Sequence, residues 1–441
     1  MLRCLRFALP LLALLTVSAG AALAQETPTT PPEGQAPADQ QTPPPPPDSL
    51  KVGLSDVDVL PTAIDTRNWL LLDKDIQLEL GGAVDNVYNF KYEKAAKQFR
   101  SLRRRYPEHP MPYFLLALNE WWKIVPSQIQ SREFDKTFFA YTDTAIYYGE
   151  RMWKKDKKNY EAAFFLSAAY GFDARLNSER ANWRRATVSS RRSLEFMQKA
   201  NEANGLSAEF MFGSGLFNYY AVWISENYPL LRPVLIFFPK GNKNLGLQQL
   251  KNVAENGFYT GTEAKFFLMK IYQNEENKPE LAKPVAKFLA TNYPDNAYFQ
   301  RFYARLAFAE GDFKTAERLS IDMMEKIKRH QPGYEAVSGR YASYYLAFLQ
   351  QHKYKKLEKA KDYYKQCIAF AHETGEEDSG YYEYANINLA HIADQQGDIE
   401  GAVVYYQEVL KVSEKKSDVY REAKDYVKNA KKMLKSKSRG A

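Results

Sequence analysis

The sequence predicts an all-α solenoid built of about eight helical hairpins. Apolar residues recur with helical spacing along most of the chain, one pattern of small and large residues is repeated, and strand signals are scarce. The 31 Tyr and 26 Phe, against only 22 Gly, indicate helices that pack through large side chains. A chain of 441 residues is too long for one ordinary compact core, so an elongated array of repeats is expected.

The first residues have the pattern of a signal peptide. Arg3 and Arg6 precede a short apolar run, and Ala22 and Ala24 supply the small residues that a signal peptidase accepts. A membrane anchor would need roughly 20 apolar residues, and this run is shorter. Residues 1–24 are therefore expected to be removed on export, which predicts a periplasmic or envelope-associated location, or secretion.

Two further segments precede the repeats. Residues 25–49 are rich in Pro, Thr and Gln, include the run Pro43–Pro47, and lack large apolar residues. Such a segment cannot bury enough surface to fold, so it is expected to be a disordered, semi-extended spacer. Residues 50–84 are more mixed in composition, end near Gly81-Gly82, and are expected to form an N-terminal cap segment.

The repeat array is expected over residues 85–417. Its clearest copy has a turn at Gly397-Asp398, followed by Ala402, Tyr406 and Val409, whose offsets place a small, a large and an apolar residue on one helix face. The small residue is expected where the two helices of a hairpin cross closely. Equivalent triplets begin at Ala95, Ser193, Gly246 and Ala360, with weaker copies at Thr144, Ala282 and Ala316.

Two of these copies also end alike. Pro107 and Pro294 each lie twelve residues after the small residue, where a proline stops the second helix. In these features the chain resembles the tetratricopeptide-repeat (TPR) family, as an exported bacterial member. The resemblance implies a right-handed superhelical solenoid of about eight TPR-like helical hairpins. Residues 418–441 have one apolar stripe among lysines and are expected to form a C-terminal capping helix and basic tail.

The sequence contains none of the residue patterns on which catalysis or cofactor binding usually depends. Cys367 falls on the core-facing position of its triplet and is interpreted as a packing residue. No metal-ligand spacing and no glycine-rich phosphate loop appears, so no enzyme activity, cofactor or metal is expected. The pI is near 9.0, but no nucleic-acid-binding motif is present, so nucleic acid is not an expected partner.

The segment 223–244 combines three prolines with a strongly apolar stretch. It is expected either to fold against the array as an inserted loop or to expose Leu235, Phe237 and Phe238 as a docking surface. Residues 208–253 also resemble a eukaryotic TPR-like family linked to inclusion-body clearance and lipid droplets. That resemblance implies a similar architecture and contact with apolar surfaces.

The TPR resemblance implies that a partner binds on the concave face, which the first helix of each hairpin lines. The missing catalytic pattern and this face together predict a non-catalytic protein-interaction scaffold with a protein or peptide partner. The alternative is a lipid- or glycan-binding envelope protein that uses the loop 223–244 to meet a membrane surface or glycan. The residues predicted to bind the partner are Tyr298, Arg301, Arg305, Phe308, Tyr384, His391 and Asp394, and the same alignment places Glu209, Phe212, Leu216 and Tyr219 on this face.

Overall fold

A computed structural model describes residues 64–229, 232, 238–377 and 380–437, with side chains up to residue 430. These residues form seventeen α-helices and no strand. The helices are α1 (Lys74–Tyr88), α2 (Tyr92–Arg105), α3 (Pro110–Ile124), α4 (Asp135–Lys155), α5 (Tyr160–Glu179), α6 (Trp183–Ala200), α7 (Met211–Asn227), α8 (Lys243–Asn256), α9 (Gly261–Lys270), α10 (Pro279–Asn292), α11 (Ala297–Ala309), α12 (Phe313–Lys328), α13 (Ala336–Phe348), α14 (Leu357–Thr374), α15 (Gly380–Gln395), α16 (Ile399–Val412) and α17 (Asp418–Lys437).

The first sixteen helices pair into eight hairpins, each with an odd-numbered helix A and an even-numbered helix B. Each helix packs against the next one in the chain, and several A helices also contact the A helix of the following hairpin, as in α1 with α3 and α13 with α15. This stacking confirms the predicted all-α solenoid of helical hairpins.

The turn from helix A to helix B repeats the same backbone feature along the chain. A residue with positive φ follows helix A in most hairpins, so the chain reverses direction within a few residues. In two of these hairpins an aspartate caps helix B: Asp312 accepts from Thr315 N–H and Asp398 from Gly401 N–H. The positive-φ residues in these turns are Phe90, Gln128, Ile129, Ala181, Asn277, Gly311, Lys355 and Gly397.

Small residues stand where helices A and B cross, as the repeat pattern predicted. Ala95, Ala282, Ala316, Ala360 and Ala402 on the B helices have no exposed surface. The closest crossing is in the fourth hairpin, where a methyl group at Gly246 would lie 2.6 Å from the Tyr219 backbone nitrogen. At Ser193 the hydroxyl donates to the Ser167 carbonyl of helix A at 2.8 Å.

The prediction for the second hairpin is off in register. Thr144 is only partly buried, whereas Thr142, Ala145 and Gly149 face the core. Gly149 marks a close approach to the next hairpin, since an added methyl group would meet the Leu166 side chain of α5 at 2.9 Å. The pattern in this helix is degenerate, because Thr144 and Ala145 are adjacent and both small. Only packing against α5 decides which of the two faces the core.

The two predicted proline terminators share one geometry. Helix B ends at Arg105 in one hairpin and at Asn292 in the other, just before Tyr106-Pro107 and Tyr293-Pro294. The tyrosines leave helical geometry almost identically, with φ and ψ of −126° and 65° for Tyr106 and −121° and 68° for Tyr293. A residue before proline is excluded from the helical region, which explains both stops.

The array begins earlier than its predicted start at residue 85. Helix α1 runs through Gly81-Gly82 and packs against α2, so it is the first A helix of the solenoid. The chain before it also contributes to the core, since Trp69, Leu70 and Leu71 are buried. The predicted signal peptide (1–24), the spacer (25–49) and the first part of the 50–84 segment lie outside the described residues.

The solenoid closes on itself, and this corrects the expectation of an elongated array. The end of α1 contacts the start of α11: Asn296 Nδ2 donates to the Tyr88 carbonyl at 2.8 Å, and Tyr293 Oη donates to Asp85 at 3.1 Å. Gln130, after α3, reaches Glu376, after α14. One continuous apolar core therefore runs from Trp69 to Ile392, and side chains from opposite hairpins fill the inside of the curve.

Helix α17 covers the last hairpin. Ala423, Val427 and Ala430 on the predicted apolar stripe are buried, and the stripe packs against Ala402 and Tyr406. Among the described helices, none combines the length and the apolar character needed to cross a membrane.

Candidate functional site

An apolar cavity of about 200 Å³ lies inside the curve of the solenoid. Helix A of four successive hairpins, α3, α5, α7 and α9, and helix B of one, α6, supply its walls. This volume is far above the about 10–15 Å³ that one water needs, and it exceeds the about 150 Å³ of an engineered apolar cavity that binds benzene. The cavity is thus large enough for an apolar ligand group.

Two glycines allow the helices that form the cavity walls to approach each other closely. A methyl group at Gly171 of α5 would lie 3.3 Å from Ser193 Oγ, and one at Gly213 of α7 would lie 3.2 Å from Met197 Cγ. Both glycines therefore let α6 approach two A helices closely. Gly213 thus has a packing role.

The rim of the cavity consists of half-buried apolar side chains from all four A helices. A half-buried aromatic residue in a concave site can be covered by a ligand without refolding of the wall. These rim residues are Phe114, Phe172, Phe212, Leu216 and Phe267.

The floor of the cavity contains one cation, Arg175 of α5, which is 6% exposed. Its guanidinium carbon lies 5.0 Å from the centre of the Trp121 ring. Among the described residues no group accepts a hydrogen bond from its Nε, and no carboxylate forms an ion pair with it. Burial lowers the pKa of Arg175, while the more distant Glu179 and Glu263 oppose that shift.

Glu263 of α9 is the acidic group of the cavity wall. Its Oε1 accepts a hydrogen bond from Trp122 Nε1 at 2.7 Å and from Tyr88 Oη at 3.4 Å. Burial raises the pKa of Glu263 from 4.5 to about 7, against the lowering effects of Trp122, Arg175 and Tyr88. The carboxyl group therefore holds a proton in the folded chain under conditions where it would ionise in the unfolded chain.

Glu263→Gln is expected to change how stability depends on pH. The folded chain keeps the Glu263 proton to about pH 7, whereas the unfolded chain releases it near pH 4.5, so wild-type stability falls as pH rises between these values. Glutamine keeps an acceptor for Trp122 and does not ionise. Relative to wild type, the variant should gain roughly 2–3 kcal/mol of unfolding free energy between pH 5 and pH 8.

Urea unfolding followed by circular dichroism at pH 5 and pH 8 measures this gain. Glu195→Gln is the matched control, because it makes the same change at a side chain that is 54% exposed. Equal gains for the two variants would contradict the assignment of a raised pKa to Glu263.

Three of the predicted partner-binding residues lie in the interior. Tyr298, Arg301 and Phe308 of α11 are 2%, 3% and 2% exposed. Arg301 donates to Ser338 Oγ of α13 at 3.0 Å and to the Pro126 carbonyl at 3.4 Å. The structure therefore corrects the prediction that a partner contacts these three side chains: the closed solenoid covers this part of the concave face with its own residues.

The remaining predicted residues are more accessible and already have internal contacts. Arg305 is half-buried, lies 4.7 Å from the Phe302 ring centre, and donates to Asn274 at 3.3 Å. His391 contacts Glu422, and Asp394 accepts from Tyr426 Oη, so both hold α17. Tyr384 is half-buried against the same cap. A partner at these four residues stays a prediction.

Two of the other four residues that the sequence placed on the concave face lie at the cavity. Phe212 and Leu216 lie on its rim. Tyr219 instead donates to Glu276 at 2.6 Å, and Glu209 is buried beneath the start of α9, where it accepts hydrogen bonds from the backbone of residues 258–260. Sequence reasoning thus found part of the rim among residues with structural roles.

The predicted docking loop is only partly described. Leu235 and Phe237 lie outside the described residues, and Phe238 is half-buried against the main core. Cys367 is fully buried, and burial raises its pKa to about 12, as a packing residue would have. In the part of the chain that the structure describes, no three His, Cys, Asp or Glu side chains are grouped as metal ligands.

The comparisons with known proteins give little sequence similarity. No family model matches the chain, and a search of curated proteins finds no match. Among solved structures, 31 chains match, including yeast Tom70, with a TM-score of 0.34 and 11% identity over 82% of this chain and 90% of that chain. The fold is TPR-like. That description rests on the paired helices, their turns and their small crossing residues.

Sequence reasoning missed the floor of the cavity. Arg175 and Asp173 stand in the second half of a long helix that buries most of its residues, and charged residues at such positions indicate burial with a specific role. Asp173 is satisfied by Arg185 and Ser189. This contrast singles out Arg175.

Proposed function

We propose that this protein is a non-catalytic scaffold that binds a partner protein, and that the partner places an apolar segment on the rim of the cavity. The observation that carries the proposal is the ring of half-buried apolar side chains, contributed by four A helices, around a cavity of about 200 Å³. Aromatic anchors in a concave, mostly apolar site contribute most of the binding energy in protein interfaces.

The position of the cavity supports a protein partner. Helix A residues of four hairpins meet there, so one bound segment would contact every wall at once. The TPR-like arrangement presents these residues on the inner curve, where a helix or extended segment of a partner fits. A place in the cell envelope, suggested by the signal-peptide pattern, belongs to the same proposal.

The double substitution Phe212→Ser and Leu216→Ser is expected to weaken capture of the partner at least tenfold. Both side chains are half-buried, so their removal takes apolar contact from the rim with little loss from the core. Residues 25–441 would be immobilised and exposed to an envelope extract, with captured proteins quantified by mass spectrometry.

The matched control is Tyr147→Ser with Val404→Ser. These side chains are 57% and 56% exposed and lie away from the cavity, so capture should not change. Circular dichroism would establish that both double variants fold. Equal capture by wild type and the rim variant would exclude the rim as the binding surface.

A further inference from the structure

We propose that the floor of the cavity binds the carboxylate of a medium-chain fatty acid, with the acyl chain lying along the apolar walls. This site is distinct from the proposed partner surface, because it uses buried floor residues and the partner uses the half-buried rim. Its ligand is a small amphipathic molecule with one negative charge.

The buried guanidinium of Arg175 is the first reason. A charge removed from water is costly unless a counter-charge and hydrogen bonds replace the water. Arg175 makes a cation–π contact with Trp121, and among the described residues no carboxylate forms an ion pair with it and its Nε lacks an acceptor. It is the only Lys or Arg among the described residues that line the cavity. A carboxylate matches its planar fork of donors.

A second polar group of the cavity lacks a partner. Ser190 is 2% exposed, lines the cavity, and has no hydrogen-bond partner for its hydroxyl among the described residues. A buried hydroxyl without a partner costs about 1–3 kcal/mol. Of the other hydroxyls that line the cavity, that of Ser193 bonds to Ser167 and that of Thr260 to Glu209, whereas the buried Tyr259 hydroxyl also has no partner among the described residues.

The walls favour an acyl chain over a peptide backbone at this depth. Each residue of a peptide brings one N–H and one C=O group that need partners. The cavity offers few such groups, because aromatic, aliphatic and glycine residues form most of its wall. An acyl chain needs only apolar contact, which Phe164, Leu194 and Met197 provide beside the floor.

The charges around Arg175 favour a ligand with a single negative charge. Glu179 and Glu263 both favour the charged form of Arg175, so acidic groups already lie near the guanidinium. A doubly charged phosphate would be repelled more strongly by Glu179 than a carboxylate would be. Glu263 also keeps its acceptor oxygen on Trp122, which leaves Arg175 to the ligand.

Decanoate and decan-1-ol are the probes that test this site, with purified residues 25–441 and titration calorimetry below the micelle concentration. Wild type is expected to bind decanoate at least tenfold more tightly than decan-1-ol. Arg175→Gln is expected to lose this preference while its affinity for decan-1-ol is unchanged, and Arg175→Lys should keep part of it. Loss of decan-1-ol binding by Ala168→Phe, which narrows the cavity, would place the chain inside.

Three results would overturn the proposal: no decanoate binding by wild type, equal affinities for the two probes, or an unchanged preference in Arg175→Gln. Circular dichroism and the retained affinity for decan-1-ol show that the variant is folded. Partner capture by Arg175→Gln separates the two proposals, since capture with no decanoate binding would refute only this one. If the rim variant no longer captures the partner but still binds decanoate, both the partner surface on the rim and the carboxylate site at the floor are supported.

Discussion

Gly246→Ala is expected to destabilise the protein by about 3 kcal/mol or more. The added methyl group would lie 2.6 Å from the Tyr219 backbone nitrogen and 2.7 Å from the Gly215 carbonyl oxygen, so α7 and α8 would have to move apart. Overpacking of a core usually costs about 1–3 kcal/mol, and here the clash is with backbone, which cannot rotate away. Urea unfolding followed by circular dichroism measures the loss.

Gly82→Ala is the matched control for this substitution. Gly82 is exposed in α1, and an added methyl group there meets nothing within 4 Å. Alanine is favoured over glycine inside a helix by about 0.5–1 kcal/mol, so the control should be slightly more stable than wild type. Similar effects of the two substitutions would contradict the close crossing of α7 and α8.

Glu209→Ala is expected to destabilise the protein by several kcal/mol and to weaken both proposed binding activities. The carboxylate is 1% exposed and accepts hydrogen bonds from the N–H groups of Phe258, Tyr259 and Thr260 and from the Thr260 hydroxyl. Its removal leaves buried donors without an acceptor, at about 1–3 kcal/mol each. These donors precede α9, which carries Glu263 and Phe267 of the cavity wall.

Hydrogen exchange of the α9 amides, together with urea unfolding, measures this effect. Glu195→Ala, at an exposed surface ion pair, should change stability by less than about 1 kcal/mol. Wild-type protection of α9 in Glu209→Ala would show that the carboxylate does not anchor this helix. If the α9 amides lose their protection from exchange while the α15 amides keep theirs, the substitution disrupts the cavity wall and not the whole array.

The local pattern of the chain was enough to predict the repeated unit. Ala402, Tyr406 and Val409 are buried on one face of α16, and Pro107 and Pro294 follow the ends of α2 and α10, because helical spacing and proline geometry act over a few residues. The pattern failed at Thr144, where adjacent registers both offer a small residue. Its start at residue 85 was also wrong, since α1 has a glycine pair that resembles a boundary.

The candidate site was largely hidden from the sequence. Phe212 and Leu216 were placed on the inner face by their spacing, and they lie on the rim. Arg301 was placed there by the same rule, but it is buried because α11 meets Ser338 of α13 and Pro126 in the turn after α3. Spacing assigns a side chain to a helix face and does not reveal which distant hairpin covers that face.

By itself, the sequence determined the helices, their pairing into about eight hairpins and the small residues at the crossings, since each depends on contacts between neighbours in the chain. Only the tertiary structure decided that the solenoid closes, that Tyr298 and Phe308 are interior, and that Arg175 lies in an apolar cavity with no ion pair to any described residue. Small rotations between successive hairpins add up along a solenoid. The meeting of α1 with α11 is therefore a property of the whole array.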